Sequence, residues 1–130
     1  MGRPDRRALA AIFVGGAIGA VLRVWLSRQF SQAPADWPWT IFLINITGSF
    51  ALGYFATRLQ ERLPQSTYRR PLLGTGLCGA YTTFSTMQVE IVNMVEARRY
   101  GLAFAYAFIS IGAGLVAIWL SSTIVRRARL

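Results

Sequence analysis

The sequence predicts an all-α membrane protein of four transmembrane helices, the third broken near Gly79–Thr82. Three observations carry that fold class. Hydrophobic residues make up 54% of the 130 positions, and they gather into four runs at about 8–26, 39–57, 72–95 and 102–122. Each run is roughly 19–24 residues long, which at ~1.5 Å per residue crosses a ~30 Å hydrocarbon layer. The runs mostly lack the polar face that a helix of a soluble bundle would carry. One membrane domain, residues 1–130, accommodates all four.

The charges lie where such a fold needs them. All 14 basic residues are arginine, histidine is absent, and the formal charge is +9. A basic chain can serve nucleic acid, yet only Arg23 falls inside a run and the others flank the runs. Flanking cations belong beside anionic headgroups, so the partner is the lipid bilayer and not nucleic acid. Four crossings put both termini and the loop Leu59–Pro71 on one side. That side holds ten arginines: Arg3, Arg6, Arg7, Arg58, Arg62, Arg69, Arg70, Arg126, Arg127 and Arg129. The other side has three, Arg28, Arg98 and Arg99, and the imbalance predicts cytoplasmic termini. The single Cys78 excludes an intrachain disulfide. With no histidine, no Cys/His cluster and no nucleophile–base pair in view, the sequence does not read as an enzyme.

The first run follows three arginines, as a signal peptide would, but it is too long, lacks a clean cleavage site and ends in Arg23. A retained helix is expected. Gly15 and Gly19 form a GxxxG pair that lets another helix approach closely, either within the subunit or across a subunit interface. Arg23 sits near the helix end, where a long side chain can snorkel, or can anchor carbonyls or an anion at an aqueous mouth. Ser27 to Pro38 is a short polar connection with Pro34 and Pro38, and Trp37 and Trp39 are placed as interfacial aromatics. In the second run Asn45 must find hydrogen-bond partners in mid-membrane. It serves either as interhelical glue or as a donor of two N–H groups to an anion.

The third run contains the most informative stretch, Gly74 to Met87, with three glycines and five Ser or Thr residues. Irregular backbone survives at membrane depth only when buried in protein or lining a polar path. Gly74, Gly76 and Gly79 are poor helix interior, so a break near Gly79 to Thr82 is expected, freeing carbonyls that can bind a cation. Beyond it, at ~100° per residue, Phe84, Met87, Gln88 and Ile91 share one side, and Thr83, Thr86, Glu90 and Asn93 share another. Glu90 is the acid in the deep part of a span, which marks it for function or for pairing with an arginine or a backbone donor. In the fourth run Tyr106, Ser110 and Gly114 recur every four residues, forming a narrow stripe.

Three segments together, GGAIGAVLR at Gly15–Arg23, NITGSFALG at Asn45–Gly53 and GLCGAYTTFST at Gly76–Thr86, resemble the Fluc (CrcB-type) fluoride channels of bacteria. They fall in order in three successive spans, and the four-span layout covers nearly the whole chain. The resemblance implies a fluoride-selective channel of the bacterial inner membrane that exports F⁻ passively and protects against fluoride toxicity. It implies an antiparallel, dual-topology homodimer with two pores. By position, Phe84 matches the first phenylalanine of the family's pore-lining pair, whose ring edges attract an anion. Asn45 matches the asparagine near the fluoride path. Thr82, Thr83 and Ser85 belong to the TTFS polar segment, and Tyr106 with Ser110 matches the polar track. Gly79 and Thr82 match the place where backbone carbonyls of both subunits hold a structural Na⁺. Arg23 matches the vestibule arginine, and Glu90 is assigned beside it. One position departs: Met87 stands where the second phenylalanine is expected. A thioether keeps bulk without a ring edge, so it should preserve packing while weakening that anion contact.

The chief rival is a small multidrug-resistance-type proton-coupled exporter, also built from four spans. Those transporters depend on a carboxylate embedded in the first helix, and here the first run's ionisable residue is Arg23. A non-transporting assembly protein would leave the aromatic–hydroxyl stripe unexplained.

Overall fold

Asp5 opens the first helix: its carboxylate accepts the Arg7 N–H at 2.9 Å, satisfying one of the donors that a helix start leaves unpaired. The computed structural model describes residues 5–30, 36–61 and 68–128. Arg3, Arg62 and Arg129 of the charge count, with Pro34 and Pro64, lie outside the described residues. All regular structure among those described is helical: α1 Arg6–Gln29, α2 Trp39–Glu61, a π-helical segment Arg70–Cys78 running into α3 Gly79–Tyr81, then α4 Phe84–Glu96 and α5 Tyr100–Ala128. Three of these, α1, α2 and α5, are long and apolar enough to cross a membrane. The third run is divided between the π segment with α3 on one side of a break and α4 on the other.

Two packing systems hold the elements together. In one, α1 lies along the π segment and α3. Gly15 and Gly19 are buried there, and a Cβ on either would run into the carbonyl oxygen of Leu72 or Leu77. Gly76 returns the favour, since a Cβ on it would stand 2.7 Å from the Ile12 carbonyl oxygen. The GxxxG face is thus spent within the subunit, backbone against backbone. The wide winding of the π segment appears in the Gly79 N–H, which reaches the Gly74 carbonyl five residues back.

In the other system α2 lies along α5, and α4 packs on α5 as well. Here side chains interdigitate. Phe42, Met87, Met94, Ala103 and Tyr106 form the buried cluster, with Trp37 and Ile91 packed onto it. Tyr106 meets the Trp37 ring edge-on at 5.3 Å between centroids. Outward, large apolar side chains such as Phe13, Phe104, Phe108 and Trp119 stand exposed along α1 and α5, as on a surface solvated by lipid.

Candidate ion pathway at the broken third span

The break falls at two residues. Gly79 itself keeps helical backbone (φ −63°, ψ −39°), whereas Thr82 (φ −78°, ψ 155°) and Thr83 (φ −146°, ψ 115°) are extended. The sequence placed the break near Gly79–Thr82; Gly76 proves to serve close approach, Gly74 and Gly79 have room where a Cβ would stand, and the chain opens at Thr82 and Thr83. β-branched threonine suits extended backbone.

Asn45 holds this opening. Its Oδ1 accepts the Thr83 N–H at 2.8 Å and its Nδ2 donates to the Thr83 carbonyl at 3.1 Å. The side-chain amide thereby pairs with an extended residue as a neighbouring strand would. Gly48, one turn along α2, makes room: a Cβ there would run into the Thr82 methyl and lie 3.1 Å from Tyr81 Cδ1. Thr83 then caps α4, its Oγ1 accepting the Thr86 N–H at 3.2 Å while donating to Thr86 Oγ1 at 3.1 Å. The Thr82 hydroxyl turns back to the Cys78 carbonyl at 3.0 Å.

A groove of about 300 Å³ follows the break, with Asn45, Gly79, Thr82, Thr83, Phe84 and Met87 among its lining residues. Six of the residues singled out in the sequence therefore meet on one surface. Gly48, Ser49 and Cys78 line it as well; their small size and spacing from Asn45 and Gly79 were the available signal. Phe84 and Met87 play unequal parts. Phe84 is 71% exposed, whereas Met87 is 7% exposed and belongs to the core cluster.

The remaining candidates lie apart from this lining. The Tyr106 hydroxyl donates to Glu90 Oε2 at 2.6 Å, joining α5 to α4, and Tyr106 is fully buried. One turn along, Ser110 Oγ is buried and has no partner among the described residues. Ser85 is exposed, with only a 3.4 Å contact to Thr83 Oγ1. Arg23 is half-buried on α1.

Counting protons separates these polar groups. Tyr106, Thr82 and Thr83 have already given theirs to protein acceptors. Asn45 has given one of its two. The second Asn45 N–H remains for a ligand; the Ser85 hydroxyl can give its proton to Thr83 Oγ1 over a long 3.4 Å, and the Ser110 hydroxyl is unspent but buried apart from the groove. The carbonyls of Gly79 and Thr82 face a complementary situation: among the described residues no N–H or O–H reaches either one, because the Thr83 N–H that a continuing helix would send to Gly79 goes to Asn45. Unclaimed carbonyls at a break are hard oxygen ligands of the kind that suits a small cation.

The family model described as "CrcB-like protein, Camphor Resistance (CrcB)" matches residues 10–122. A protein of Mycobacterium bovis named fluoride-specific ion channel FluC 1 is 57% identical over 126 residues, covering 97% of this chain and 96% of its own. Fluoride-specific ion channels FluC of Phenylobacterium zucineum and Ignicoccus hospitalis are 39% and 33% identical, each over 93% of this chain and 97% of their own. The match takes in all four apolar runs and the whole of the broken span, and the chain belongs to the CrcB-like family.

Proposed function

We propose that this chain forms a fluoride-selective channel through which F⁻ leaves the cytoplasm passively. The observation that carries the reading is the groove at the break, where an unspent amide proton of Asn45 and the exposed ring of Phe84 adjoin a gap in the helix. A small anion holds its water tightly, so a narrow path has to replace that water with donors. Asn45, Ser85 and Ser110 supply such donors without a fixed cation that would trap the ion, and the Phe84 ring edge adds a weak positive potential. Hydrogen fluoride crosses lipid uncharged and dissociates inside, and the inside-negative potential then drives the anion out. The names of the relatives support the same substrate. A proton-coupled exporter is not favoured by them, nor by a first helix whose membrane-embedded ionisable residue is Arg23.

The active form in this reading is an antiparallel homodimer in the bacterial inner membrane, with two pores. Phe84 is too exposed in one subunit to line a closed path, and four spans are too few to enclose one, so a second copy completes it. Within that assembly the Gly79 and Thr82 carbonyls, unclaimed by a donor among the described residues, would hold a structural Na⁺. Arg23 and Glu90 are assigned to the vestibules.

The test is fluoride efflux from liposomes containing the purified chain, read with a fluoride electrode and repeated with chloride. Rapid valinomycin-dependent fluoride release without chloride release is expected, strongly reduced by Phe84→Ala. Silence in both the wild type and Met87→Phe would end the channel reading.

A further inference from the structure

An arginine–tyrosine pair lies further along α2, away from the break. The Arg58 Nη1 donates to the Tyr54 hydroxyl at 2.8 Å, and its guanidinium carbon stands 5.7 Å from the centre of the same ring. The ring and the hydroxyl thus fix the guanidinium from one side. Its Nε is buried and has no acceptor among the described residues. Arg58 has no acidic partner among the described residues. Glu61, one turn on, is engaged by Arg126 through Nη2 at 2.8 Å and Nε at 3.1 Å. The phenol that accepts from Arg58 still has its own proton to give. The Arg58 Nη2, which makes no hydrogen bond among the described residues, and the Tyr54 hydroxyl therefore offer an N–H and an O–H side by side, with a full positive charge. That is the complement of a phosphate oxyanion.

Position selects the source. At about 100° per residue, Tyr54 and Arg58 lie roughly 180° and 220° around α2 from Asn45, on the far side from the groove. Thr57, between those directions and Asn45, is spent on Ser122 of α5 at 3.0 Å. Arg58 directly follows the apolar run 39–57, at the depth where headgroups begin. We propose that Tyr54 and Arg58 form a binding site for the phosphate of an anionic phospholipid. The proposal rests on the membrane placement of α2 and not on which ion the protein conducts.

Native mass spectrometry of the purified full chain, with phosphatidylglycerol or phosphatidylcholine added, tests it. Phosphatidylglycerol adducts should be retained preferentially, and Arg58→Gln should weaken that retention by roughly tenfold, the loss of one charge-assisted contact. Arg58→Lys should fall between, because it keeps charge without the planar fork of N–H donors, and Arg127→Gln at the same end should change nothing. If Arg58→Gln does not purify as folded protein, Tyr54→Phe carries the test, with a smaller loss expected. Equal retention by the wild type and these variants would overturn the site. Displacement of the lipid by millimolar inorganic phosphate would assign it to a soluble anion and overturn the lipid reading. Fluoride efflux measured alongside keeps the two proposals separate.

Discussion

The third span contains two helix ends that face the same problem and solve it differently. At the end of α4 the last carbonyls are closed off by the chain itself. Arg98 N–H goes to Val95 at 3.0 Å and Arg99 N–H to Met94 at 2.8 Å, a Schellman cap. The cap requires left-handed backbone at Arg98 (φ 60°), where glycine would be easier. At the end of α3 the chain instead straightens, the Thr83 N–H is taken by Asn45, and the carbonyls of Gly79 and Thr82 stay open. An end closed by its own backbone needs nothing further, at the cost of strain at one residue. An end held by a borrowed side chain keeps its oxygens available, and those oxygens lie where the proposed pathway and cation site lie.

That contrast can be broken from either side. Asn45→Leu should have the largest effect. It removes both hydrogen bonds and strands a partly buried N–H and C=O, an expected destabilisation of about 2–5 kcal/mol in detergent unfolding, with fluoride efflux abolished. An unchanged unfolding curve would mean that the break holds itself open. Thr83→Val keeps the extended backbone and the Asn45 pair but deletes the α4 cap, so a loss of about 1–2 kcal/mol is expected, with efflux reduced and not abolished. Arg98→Gly acts on the closed end. Relief of the left-handed strain should stabilise the chain by up to about 1 kcal/mol, offset in part by added freedom in the unfolded state, and efflux should stay at the wild-type rate. A change in efflux there would tie the closed end to conduction.

Much of this was legible in the residues. Run length and arginine placement locate the helices, and the concentration of glycine and hydroxyls locates the break. The choice between partners was not legible. Gly15 and Gly19 announce a close approach, but spacing on one helix does not say whose backbone approaches; the π segment supplies it. Glu90 and Tyr106 were each singled out, yet their bond depends on the register between α4 and α5, which no single-helix wheel contains. The same wheel set Phe84 and Met87 side by side. The core-facing stripe of α4 runs through Met87 and Met94 towards α5, and Phe84, the first residue of the helix, lies beyond its end. The π winding also escaped, because glycines signal a weak α-helix without saying which alternative hydrogen bonding replaces it.

The divided span also bears on how the chain enters the bilayer. The segment before the break, 70–81, and α4 Phe84–Glu96 each extend no more than about 20 Å, short of a ~30 Å layer, so neither half is an insertion unit alone. The segment before the break and the break itself are received by the glycine face of α1 and the Asn45 side chain of α2, whereas α4 packs on α5. α1 and α2 are synthesised earlier and α5 later, so the first half meets its docking surfaces as it emerges and α4 has to wait for its own. Order along the chain thus doubles as an order of assembly in two steps, the break settling on α1 and α2 first and α4 closing its core once α5 follows.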